Sequence, residues 1–125
     1  MSTVDSPSRW HDSPWVRAAL LVVATTVVFG PVVTHQLLVW DDHQHVTANP
    51  HLNPVSWRGL QKLWSEPYWG LYVPLSYTFF AAEAVMAQRP APGGAGYEMN
   101  PMVFHLGSLL LHVGCVLMIF LVVRR

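Results

Sequence analysis

A chain of 125 residues with seven basic and seven acidic side chains carries no formal net charge, so it lacks the basic field that points to nucleic acid. Apolar residues make up 52% and charged residues 11%, against ~25% charged in soluble domains, which argues against a soluble globular protein. Cys115 is the only cysteine, which excludes an intrachain disulfide and leaves the redox compartment open.

Residues 1–15, rich in Ser-Pro punctuation, read as a disordered cytoplasmic tail. Ala18 to Val39 then carries no charged side chain and is long enough for a bilayer, which takes about 20 residues of helix. Residues 16–40 are therefore assigned to a first transmembrane helix, with a kink expected at Gly30-Pro31, where proline removes a backbone donor. An uncleaved anchor is favoured over a signal peptide, because the run is long and continues apolar where a small-residue cleavage site would stand.

Asp41, Asp42, His43 and His45 follow at once. Acidic side chains are unfavourable at a helix C-terminus, where the macrodipole is negative, so the aspartates read as more than a solvated end. Adjacent carboxylates can divide roles, one as base and one as ligand or orienter. Together with His43, His45 and His51 they offer oxygen and nitrogen donors to a divalent metal, although the spacing matches no specific metal motif. His43 and His45 are the weak metal candidates of the chain.

Asn49-Pro50 and Asn53-Pro54 read as turns. Ser56 is placed to cap a short helix at 57–65, with Leu60, Leu63 and Trp64 on one face and Arg58 and Lys62 elsewhere. Its tryptophans suit the membrane interface. A second helix is expected at 74–88, short for a span and carrying Glu83. A carboxylate at mid-membrane costs roughly 2.5–3.5 kcal/mol on insertion scales, so this helix is expected to lie on the outer surface. The glycine-rich stretch after it reads as a loop. Residues 102–123 form the second transmembrane helix, started by Asn100-Pro101, and 124–125 a cytoplasmic end. His105 and His112 fall on one helix face about two turns apart, in a polar stripe with Ser108 and Cys115. Hydrogen bonding between helices is the favoured role for that stripe.

Arg9 and Arg17 before the first span and Arg124 and Arg125 after the second place both termini in the cytoplasm and 41–101 outside it. The expected architecture is an all-α membrane protein: two transmembrane helices joined by an extracytoplasmic loop with two short interfacial helices.

Trp40-Asp41-Asp42, Asn49-Pro50, Tyr72-Val73-Pro74-Leu75 and Phe104-His105 through His112 stand in this order and at these separations. This set resembles the N-terminal segment of the GT-C membrane glycosyltransferases, in particular the protein O-mannosyltransferase-like group whose longer members carry tetratricopeptide repeats. The resemblance covers about residues 18–125; Ser108 stands where the group has Asn. It implies transfer of a sugar, such as mannose, from a polyprenyl-phosphate donor to an acceptor hydroxyl on the outer face. It also implies that Asp41 or Asp42 is the essential acid of the first outer loop, as base or, in some relatives, as metal ligand. Tyr72, His105 and His112 become substrate-binding candidates, and a divalent metal stays open as cofactor. Partners implied are membrane lipid, the lipid-linked sugar donor and further C-terminal transmembrane helices, with no nucleic acid. On this reading the chain is the N-terminal fragment of a longer enzyme and inactive alone. Two other readings remain. One is a small non-enzymatic two-span membrane protein; the other is a metal- or haem-binding membrane subunit, with His35 and a second-span histidine as haem ligands.

Overall fold

The computed structural model describes residues 13–93 and 97–125. The expected tail lies outside these up to residue 12; beyond it, Ser13 precedes a helix that already contains Pro14 and Trp15. That helix, α1, runs Pro14–Phe29. Proline suits its first position, where the missing N–H would be unsatisfied anyway. At Gly30 the coil tightens into a 3₁₀ segment, Gly30–Thr34. Pro31 cannot donate back to Val27, and its ring crowds that carbonyl, so the α-helix stops rather than kinks. The helical stretch ends at Thr34, earlier than the residue 40 expected from hydropathy. Residues 35–40 are not helical.

Asp41 and Asp42 open a new short helical stretch that continues as a π-helical turn, His43–Thr47. α2 follows over Trp57–Ser65, the range the cap and periodicity indicate. Ser56 Oγ accepts from Gly59 N at 3.0 Å, satisfying one of the free donors of the first turn. Ser56→Ala is expected to cost about 1 kcal/mol, read as a lowered unfolding midpoint in detergent micelles. Leu63 enters the core, and Trp64 Nε1 donates to Thr78 Oγ1 at 2.9 Å, tying α2 to the next helix.

α3 spans Pro74–Ala87. One face of it is packed inside the protein: Tyr77, Ala81, Glu83, Ala84 and Ala87 are buried. Two clusters share it. Leu52, Leu63, Tyr77 and Ala81 form one; Val46, Ala84, Ala87 and Phe104 form the other. The stretch expected to be a loop contains a small antiparallel hairpin, β1 (Gln88–Pro90) with β2 (Tyr97–Met99), so the chain is mostly rather than wholly helical. Asn100 N donates to Ala87 O at 3.0 Å and closes the hairpin. Asn100 Oδ1 then accepts from Met102 N at 3.1 Å at the start of α4, Pro101–Val123.

The chain divides into two compact units. One is Val32–Ser108, with both clusters; the other joins the chain up to Pro31 with Leu109–Arg125. Within the latter, α1 and the C-terminal part of α4 run antiparallel. The Phe29 ring meets the edge of His112 at 4.7 Å between centroids, while Arg17 and Leu21 share a groove with Val116, Phe120 and Arg124. Two stretches among the described residues, Pro14–Thr34 and Pro101–Val123, are long and apolar enough to cross a membrane.

Gly107 marks where α4 and α3 approach closely. A Cβ there would fall on the Glu83 carboxylate, with the Phe79 ring next nearest. Gly107→Ala is expected to destabilise by about 1–3 kcal/mol, the usual cost of overpacking. Combining it with Glu83→Ala should recover part of that loss in an unfolding titration.

Candidate functional site

The two aspartates sit in the first turn of the stretch that ends at Thr47, not at the C-terminus of the first span. A carboxylate is favoured at that end of a helix, so unfavourable charge placement is no longer evidence for a function. The turn is fixed by side chains reaching its carbonyls. Asn49 Nδ2 donates to His45 O at 3.1 Å, Asn53 Nδ2 to Thr47 O at 2.8 Å, and Tyr68 Oη to Gln44 O at 3.3 Å. Asn49 is fully buried, and its Oδ1 accepts from His51 N at 2.9 Å. The two Asn-Pro steps thus act as clamps on the aspartate-bearing turn as well as turn formers. α2 closes in on the same loop at Gly59, where a Cβ would strike the His51 carbonyl.

The two carboxylates differ in setting. Asp42 is half-buried, and its Oδ2 accepts from Leu38 N at 2.9 Å, which holds the group in one orientation. Asp41 is exposed, and its carboxylate makes no hydrogen bond among the described residues. Both line a cleft of about 160 Å³ with His45, Val46, Leu71, Val73, Tyr77 and Phe80. Its walls are mainly apolar and aromatic, with the aspartates and His45 as polar points. That is the usual build of a small-molecule site.

Tyr77 is 1% exposed, and its hydroxyl meets His45 Nδ1 at 2.8 Å. Burial, and after it the neighbouring Tyr68, push the Tyr77 phenol above its ordinary 10.0, so it stays protonated near neutral pH. The Tyr68 ring stands edge-on to Tyr77, His45 and His51, making an aromatic support behind the cleft.

Other residues singled out in the sequence lie elsewhere. Tyr72 does not line the cleft, although Leu71 and Val73 beside it do; its hydroxyl donates to Trp64 O at 2.8 Å and serves the α2–α3 connection. His105 does not line the cleft either, and its Nε2 is buried with no hydrogen-bond partner among the described residues. His112 belongs to the other unit, packed on Phe29. His43 Nδ1 pairs with Thr47 Oγ1 at 2.9 Å, and His45 Nδ1 is taken by Tyr77. Among the described residues no three His, Cys, Asp or Glu side chains gather as a metal site, so His43 and His45 do not join the aspartates in a donor set. His35 is exposed just after the 3₁₀ segment.

Sequence reasoning missed Tyr77 and the burial of Glu83. The spacing of Tyr77, Ala81, Ala84 and Ala87 along α3 is the signal of a face packed closely inside. Glu83 is 3% exposed, and neither carboxylate oxygen has a partner among the described residues. Burial pushes its pKa up to about 7.

Compared with protein-family models, curated proteins and solved structures, the chain matches none.

Proposed function

We propose that this chain forms the first two membrane spans and outer loop of a glycosyltransferase that moves a sugar from a polyprenyl-phosphate donor to an acceptor hydroxyl. The observation that carries this reading is the Asp42 carboxylate, oriented by Leu38 N–H and lining an apolar, aromatic cleft with Asp41 and His45. In the reaction, the acceptor oxygen attacks the anomeric carbon and its proton passes to the free oxygen of Asp42. The bond between the anomeric carbon and the phosphate oxygen breaks, and the lipid phosphate leaves with the electron pair. Further membrane helices supply the rest of the enclosure for donor and acceptor.

Membrane placement is part of the proposal. Val23, Val28, Leu110 and Val122 are all exposed on the two long helices, an apolar surface that lipid would cover. Arg17 and Arg124 line the same groove between them, which supports a common cytoplasmic end under the positive-inside rule. Residues 41–101 then face the periplasmic or outer side.

The test is transfer of labelled sugar from a polyprenyl-phosphate donor by membranes containing the intact protein, with Asp42→Asn and Asp41→Asn compared with wild type. Wild-type transfer by both single variants would overturn the proposal.

A further inference from the structure

The cleft contains a device that this proposal does not use. The hydroxyl of Tyr77 is buried, and its sole hydrogen-bond partner among the described residues is His45 Nδ1. A buried phenol proton left without an acceptor is costly, so Tyr77 Oη donates and Nδ1 accepts. The opposite arrangement, with Nδ1–H donating to Oη, would strand that proton. The ring proton of neutral His45 therefore sits on Nε2. That nitrogen is not among the buried polar atoms lacking a partner, and no hydrogen bond engages it among the described residues. His45 lines the same cleft as Asp41 and Asp42.

We infer that His45, set by Tyr77 as a fixed Nε2–H donor beside the two carboxylates, is a ligand-binding residue for one hydroxyl-bearing sugar ring, with Tyr77 as its positioning residue. The polar points of the cleft are then one donor and acceptor carboxylates. A sugar matches both kinds, since a ring oxygen or hydroxyl accepts from Nε2–H while a hydroxyl donates to Asp42. A phosphate matches only the donor and is repelled by the carboxylates. The apolar walls Leu71, Val73 and Phe80 suit the C–H faces of a sugar ring. Size agrees: about 160 Å³ is below the ~300–1,000 Å³ of pockets that enclose a drug-sized ligand. The cleft thus takes one ring and not a whole lipid-linked donor. This inference deepens the transferase reading and rests on the same cleft.

The experiment is ¹⁵N-histidine NMR of the 125-residue chain in detergent micelles, with the His45 signals assigned by their loss in His45→Gln. The expected result is an unprotonated Nδ1 and a protonated Nε2, with the tautomer bias lost in Tyr77→Phe. A protonated Nδ1 in the wild type overturns the inference. Methyl α-mannoside and inorganic phosphate are then titrated separately. The mannoside is expected to shift the His45 Nε2 signal saturably and phosphate is not. Affinity, followed by tryptophan fluorescence, should fall about 3- to 10-fold in Tyr77→Phe, the loss from one neutral hydrogen bond. His45→Ala should bind more weakly still, and His45→Gln, which keeps an N–H donor, should recover part of the loss. A shift with phosphate alone, or with neither probe, overturns the inference. Sugar binding without transfer by the intact protein would count against the transferase reading only. Transfer at wild-type kcat and KM in His45→Ala would count against the role of His45 only.

Discussion

Asp42→Asn in the intact membrane protein is expected to lower sugar transfer about 10²–10⁴-fold, the range a general base contributes. The substitution is nearly isosteric. Asn Oδ1 can still accept from Leu38 N, so the turn that carries residue 42 should keep its shape. On the proposed mechanism, what is lost is the ability to take a proton from the acceptor hydroxyl. The defect should therefore fall on kcat, with KM little changed. Asp41→Asn should lose far less, because its exposed carboxylate is not held in one orientation by any bond among the described residues. Equal and severe loss in both variants would instead mean that the carboxylates act as a pair. Membrane insertion, followed by protease protection of the loop, should be unchanged in each. A parallel loss of insertion would reassign the effect to folding.

The contrast between the two aspartates is invisible in the sequence, where they are neighbours of one type. It arises from a break that hydropathy does not register. Leu37, Leu38 and Val39 are as apolar as the span before them, yet Pro31 ends the α-helix and residues 35–40 are not helical. Local signals were legible where local chemistry decides. Ser56 caps α2, and Asn100-Pro101 starts α4, because each satisfies backbone groups within its own turn. Contacts across the chain were not. Tyr77 meets His45 across 32 positions, and the hairpin of β1 and β2 consists of strands of three residues each, too short to leave an alternating pattern. The burial of Glu83 was not legible either. It depends on Gly107, 24 positions on, which leaves just enough space for the carboxylate against α4.

That burial sets the second large effect, a loss of stability with rising pH that Glu83→Gln should abolish. The carboxyl is 3% exposed with both oxygens unpartnered among the described residues, and burial raises its pKa from 4.5 to about 7. The folded state therefore holds the proton through a window in which the unfolded chain has released it. Between pH 4.5 and about 7 the native form binds more protons, so stability must fall as pH rises. Above about 7 the cost is fully present, because folding then buries a charged group. Its ceiling is about 3 kcal/mol at 1.36 kcal/mol per pKa unit, and less to the extent that nearby water screens the charge. The informative quantity is the difference between wild type and Glu83→Gln. Unfolding in micelles followed from pH 5 to pH 8 should show that difference growing with pH in favour of the variant. Parallel profiles would mean that Glu83 gains a partner when the protein is in solution, and a candidate on α4 is His105, whose Nε2 is buried and unpartnered among the described residues. His105→Phe in the same titration separates these cases. It should leave the pH difference unchanged if Glu83 is alone. If His105 is the partner, the variant should restore a slope in which stability falls as Glu83 ionises.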